Sequence, residues 1–203
     1  MLLAIWGRSA AQARLQRSLG RMASESNDRK LVITTLLVST LLTMLGIAGV
    51  LRGSYDLALT SVPEDRRELY APGAEVPELE VELLEAQVTN PYRRPMAAAN
   101  VVVSALVLIG SFLLSWRRQL AQWWIKQAVV AKLIWIAAYT ATLAQHIKLT
   151  FPVAVLESAG AGLAEIIGGV VVVSLASAVL HMIAAYRATR PDIKSFIEAK
   201  SKR

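Results

Sequence analysis

The sequence predicts an all-α integral membrane protein with four transmembrane helices and a roughly 45-residue outer loop, residues 52–95, between the first two. Three observations carry this. The chain is 55% hydrophobic, well above the soluble average. Its apolar residues are gathered into four blocks, each about the 20 residues that a helix needs to cross a bilayer core of about 30 Å. Its Lys and Arg residues collect in alternate connections, the pattern that sets orientation in membrane proteins. The blocks are too long for strands and apolar all round, which argues against both a soluble core and a transmembrane barrel.

Residues 1–30 carry Arg8, Arg14, Arg17, Arg21, Arg29 and Lys30 against Glu25 and Asp28, so this basic segment is expected in the cytoplasm. Its first 21 residues contain no acid and scattered Leu, Ile and Trp. They read as an interfacial amphipathic helix, as dispensable sequence ahead of Met22, or as a transit peptide. The first transmembrane helix is expected over 31–51, with Thr35, Ser39 and Thr43 on one face. That spacing suits hydrogen bonds to a neighbouring helix or back to carbonyls four residues earlier.

The loop 52–95 holds nine acidic groups against five arginines and is placed outside. Ser61 and Glu64 have capping-box spacing, which predicts a short helix from about Val62 to Tyr70. In "PELEVELLEAQV", Leu79, Val81 and Leu83 alternate with glutamates, the period-two pattern of a half-buried strand over 78–84. With no second strand in the loop, these three residues are first of all candidates for docking against a partner; the alternatives are that the segment lies along the membrane surface or is a helix. Glu75, Glu78, Glu80, Glu82 and Glu85 lack any calcium-loop pattern and read first as a solvated face.

The second helix is expected over 96–116 and the third over 128–145. The connection between them, 117–127, contains Arg117, Arg118 and Lys126 with no acid and is placed inside. Trp116, Trp123 and Trp124 match an interfacial aromatic belt. Lys132, measured from the start of its block, falls near the inner boundary and is expected to snorkel. An outer loop, 146–161, leads to the fourth helix, 162–186. Glu165 begins that helix and His146 ends the third, so the two form a candidate polar site at the outer face. His181 is expected to anchor at the inner interface. Gly160, Ala164 and Gly168 recur every four residues as a candidate helix-packing ridge, and Ala137 and Ala141 offer a similar surface on the third helix. The tail, 187–203, has six basic groups. After Pro191 it resumes as an amphipathic helix with Ile193, Phe196 and Ile197 on one face, suited to lipid headgroups or a cytoplasmic partner.

Catalytic chemistry is hardly indicated. The absence of cysteine removes thiolate metal sites and thiol catalysis, and no phosphate-binding, dinucleotide, metalloprotease or nucleophile-elbow motif is present. No cofactor or metal is expected. The net charge of +7 sits at membrane edges, where anionic lipid rather than nucleic acid is the partner. The leading expectation is therefore a non-enzymatic accessory, assembly or scaffold subunit with a protein partner or a second copy of itself. It would lie in a bacterial inner or plasma membrane, less readily in an organellar one, with both termini cytoplasmic. The alternatives are a small transporter or channel component recruiting cations at its outer face, and an enzyme using Glu165 and His146 as an acid/base pair.

Overall fold

A computed structural model of the chain describes residues 2–59, 78–151 and 162–201. The helix expected over 62–70 and the residue Gly160 lie outside them. Six helices follow in order: α1 Leu2–Ala58, α2 Glu78–Thr89, α3 Arg93–Ser115, α4 Ala121–Thr150, α5 Leu163–Ala188 and α6 Pro191–Ser201. Four stretches are long and apolar enough to cross a membrane: Asp28–Ala58 within α1, Arg93–Ser115, Ala121–Thr150 and Leu163–Ala188. Consecutive long helices run antiparallel, so α2 caps one end of the bundle and α6 the other.

The strand expected over 78–84 is helical instead, as the first part of α2. Glu, Leu, Ala and Gln are strong helix formers, and a short alternation can also be read on a helical face. Leu83 and Ala86, three residues apart, turn to one side and pack on Leu143 and Ile147 of α4. This contact inside the chain removes the need for a partner strand. Leu79 and Val81 lie on the same helix.

The helices α1 and α3 make the tightest pair. The Ser39 hydroxyl donates to the Ser111 carbonyl at 3.0 Å, and the Thr43 and Ser111 hydroxyls meet at 2.9 Å. Thr35 and Thr43 also donate to the carbonyls of Leu31 and Ser39, so both roles expected of this face occur. Above it, Gly46, Gly49 and Gly53 let the backbones close. A Cβ on Gly46 would lie 2.6 Å from Leu108 Cγ, and one on Gly53 would lie 2.9 Å from the Ala97 carbonyl oxygen. This is the small-residue packing by which apolar helices associate, on a different helix from the one expected.

Between α3 and α4 the chain turns at Arg117, whose φ is 55°. Arg117 N–H donates to the Leu114 carbonyl and Arg118 N–H to the Leu113 carbonyl, the bonding of a Schellman cap. The α4 helix then starts at Ala121, seven residues before its apolar block. At the α6 end, Leu42, Leu114, Ala121, Ala184, Ala188, Ile193 and Ile197 form a closed apolar cluster. The expected face of α6 is real: Ile193 and Ile197 are buried in this cluster, and Phe196 lies under the Arg117 guanidinium at 5.0 Å.

The α5 helix is different. Its buried residues are His181, Ala184 and Ala188, all toward the α6 end. Nearer α2, a Cβ on Gly168 or Gly169 would meet nothing within 4 Å, and Ala164 is exposed. Ala137 and Ala141 of α4 are exposed too. None of these small residues is a contact surface within the chain.

Candidate functional site

The loose seating of α5 leaves a cavity of about 560 Å³ between α1, α4 and α5, with Leu83 and Gln87 of α2 over it. Its length follows from α5, which lines it from Glu165 to His181: sixteen residues, or about 24 Å at about 1.5 Å per residue. Its walls are mostly apolar, with Leu45 and Ala48 of α1, Ile136 and Leu143 of α4, and Ile166, Val170 and Val173 of α5. Toward the α2 end it reaches Glu165, which is exposed. Toward the α6 end stand the buried Lys132 and His181, with the apolar cluster beyond them, so that end is blind. Along the α5 wall Gly169 and Val173 are exposed.

The blind end is polar, and four helices build it. Lys132 of α4 is only 4% exposed. Its Nζ donates to Asn100 Oδ1 and, at 2.8 Å, to the Ser104 hydroxyl, both on α3. Ser104 in turn donates to Asn100 Oδ1 at 3.2 Å, and Asn100 Nδ2 donates to the Gly49 carbonyl of α1 at 3.1 Å. The Trp135 ring covers the ammonium, with its centroid 4.4 Å from Nζ, and Trp135 is itself fixed by donating from Nε1 to the Met96 carbonyl. Gly49 is required by this arrangement, because a Cβ there would lie 2.2 Å from Ser104 Oγ and 3.1 Å from Lys132 Nζ.

Lys132 therefore does not snorkel. The expectation failed because its depth was measured from Ala128, whereas the helix begins at Ala121, which moves the residue about 10 Å further in. His181 likewise does not anchor at an interface. It is 2% exposed, donates from Nδ1 to the Ser177 carbonyl at 2.8 Å, and leaves Nε2 buried with no hydrogen-bond partner. It lines the same cavity as Lys132. Glu165 lines the same cavity but stays about 24 Å of helix from His181, the separation expected from the sequence.

One helical turn of α1 beyond Gly49 stands Arg52, whose guanidinium lies 5.9 Å from the Tyr139 ring centroid and 4.0 Å from the Asp56 carboxylate. Tyr139 stacks on Trp135 with centroids 5.1 Å apart, so an aromatic pair along the α4 wall links Arg52 to Lys132. Thr140 donates to the Ser174 hydroxyl at 2.7 Å midway.

The pair singled out in the sequence, Glu165 and His146, is not joined. Glu165 caps α5 by accepting from the Gly162 N–H at 3.1 Å, whereas His146 Nε2 lies 3.2 Å from the Thr89 hydroxyl and ties α2 to α4. Among the described residues, no group of three or more His, Asp or Glu side chains is placed to hold a metal ion.

No protein-family model, curated protein or solved structure matches this chain. What it does must be argued from the cavity itself.

The sequence carries a signal for this site. Asn100 and Ser104 are four residues apart inside the second apolar block, and Lys132 is the lone cation inside the third. Polar side chains at matching depth in adjacent apolar helices bond one another, because no water competes for them.

Proposed function

We propose that this protein is a multi-pass membrane protein that takes a largely apolar guest molecule into the cavity between α1, α4 and α5. It acts by binding, without chemistry of its own. One observation carries the reading: a cavity of about 560 Å³, within the usual range of small-molecule sites, lies between helices long enough to span a bilayer. Predominantly apolar walls with a few convergent polar groups are what such sites have. The blind end argues against an open conduit, since a channel needs a continuous path.

Cation recruitment receives no support inside this cavity, where Arg52, Lys132 and His181 stand against Glu165 alone. A role as an accessory subunit is compatible with guest binding. It is favoured by the empty row of Ala164 and Gly168, which leaves α5 free to receive a helix from another protein or a second copy. In this reading both termini and α6 face the cytoplasm, where the basic residues meet anionic lipid, and α2 faces outward.

Decanol and the Gly169→Leu variant test the proposal. Gly169 lines the cavity and a Cβ there meets no atom within 4 Å, so the variant should fold and its longer side chain occupy part of the space. In phosphatidylcholine nanodiscs, decanol should raise the melting temperature of the parent relative to that of the variant, because binding to the native state stabilises it by mass action. Effects of decanol on the bilayer are common to both proteins and cancel. Equal responses would remove the cavity as the binding site.

A further inference from the structure

We infer that the blind end of the cavity is a carboxylate site, and that the guest is a monocarboxylate on an apolar body, held by Lys132 Nζ with His181 Nε2 beside it. The inference rests on the guest-binding reading above and gives the guest its head group.

Charge is the first argument. A buried ammonium is ordinarily paired with an anion, because an isolated charge in an apolar interior is strongly unfavourable. Lys132 has neutral partners only, Asn100, Ser104 and the Trp135 face. Among the described residues no carboxylate forms an ion pair with it; the salt bridges there join Arg52 with Asp56, Arg190 with Asp192 and Lys194 with Glu198. The cavity's one acid, Glu165, is engaged at the N-terminus of α5 about 24 Å of helix away. Among the described residues no side chain supplies the anion, and the carboxylate of a guest would complete Lys132.

The second argument is independent of charge. His181 Nε2 is a buried polar atom without a partner, and such atoms in native proteins mark a missing ligand or water. Its ring orientation is fixed by the bond from Nδ1 to Ser177, so Nε2 presents one hydrogen-bonding position at the same blind end. With the Nδ1 proton committed to Ser177, the neutral ring's Nε2 is an acceptor, so a carboxylate places one oxygen on Nζ and reaches Nε2 from the other through a bridging water that donates to both. The apolar middle, from Ile136 to Val170, then receives the hydrocarbon body. A bulkier lipid headgroup would have to leave solvent-seeking groups among Leu45, Ile136 and Val173. The same chemistry could come from water as a medium-chain acid or from the bilayer as a free fatty acid.

Melting temperatures of the full chain in phosphatidylcholine nanodiscs separate these cases, with decanoate, decanol and decyltrimethylammonium as probes and oleate added to the lipid as a fourth arm. The parent should be stabilised by decanoate at concentrations at least tenfold below those needed for decanol, and least by the cation. Lys132→Met, which keeps the length of the side chain and removes the charge, should abolish the preference for carboxylate while retaining the response to decanol. Arg52→Gln removes the neighbouring cation, one turn from Gly49 and already near Asp56, and should keep the preference because the carboxylate rests on Lys132. Stabilisation by decanoate or by oleate upholds the inference and identifies the source as aqueous or lipid. Equal responses to decanoate and decanol in the parent would overturn the carboxylate site and leave guest binding standing, and so would loss of the preference in Arg52→Gln. Absence of any response to all four probes would defeat guest binding itself, and the carboxylate site with it. Should Lys132→Met fail to fold, the ranking in the parent and in Arg52→Gln decides.

Discussion

Gly49 illustrates how much a single position sets. Its missing side chain is the space that Ser104 Oγ and Lys132 Nζ occupy, at 2.2 and 3.1 Å from where a Cβ would stand. Gly49→Ala should therefore lower the stability of the folded bundle by about 1–3 kcal/mol, the range typical of overpacking. Gly168→Ala should leave it unchanged or raise it by up to about 1 kcal/mol, since alanine is the better helix former and nothing lies within 4 Å. Thermal unfolding of both variants in neutral detergent checks the contrast, and matching curves would mean that α1 and α3 are not packed through Gly49. The sequence displayed both glycines equally. Spacing alone points to small-residue rows in α1 and α5 alike, and only the positions of the neighbouring helices separate a contact from an open face. Lys132 was misjudged for a related reason: an apolar block marks where hydropathy begins, whereas a helix begins at its turn, here Arg117.

At the scale of the element, α6 was legible and α2 was not. Ile193, Phe196 and Ile197 share a face by spacing alone, and the break at Pro191 starts a helix because proline suits a first turn. Which surface that face covers could not be read from spacing. It packs under the bundle, so Ile193→Ala should cost about 2–5 kcal/mol in a site with no exposed side. Trypsin should then cleave faster after Arg187 and Lys194, and an unchanged rate would show that α6 is not held there. For α2, six alternating residues suggested a strand, yet Leu and Glu favour helix and the contacts of Leu83 and Ala86 with α4 reward it. Ala86→Asp would bury a carboxylate among Leu143, Ile147 and Phe151, a strongly unfavourable change. It should detach α2, seen as faster hydrogen exchange over residues 78–89. Protection equal to that of the parent would contradict the packing of α2 on α4.

Among the described residues, the whole molecule is a helical bundle sealed at the α6 end by an apolar cluster. Four helices long and apolar enough to cross a membrane, and the segregation of basic residues, were legible because hydropathy and charge are summed over many positions. The cavity was not, because it arises from the shallow burial of α5 against the other helices, which no local pattern encodes. Orientation can be checked with an impermeant thiol reagent on intact cells: the chain has no cysteine, and Ser61→Cys should react from outside while Ser201→Cys should not. Equal labelling would reverse or abolish the proposed topology. The cavity itself is tested most directly at Ser174, which lines its middle, against Leu175, which is 59% exposed on the outer surface of α5. With N-ethylmaleimide in phosphatidylcholine nanodiscs, saturating decanoate should slow the reaction of Ser174→Cys several-fold and leave that of Leu175→Cys unchanged. A rate at position 174 that is indifferent to decanoate would contradict a guest-binding cavity between α1, α4 and α5.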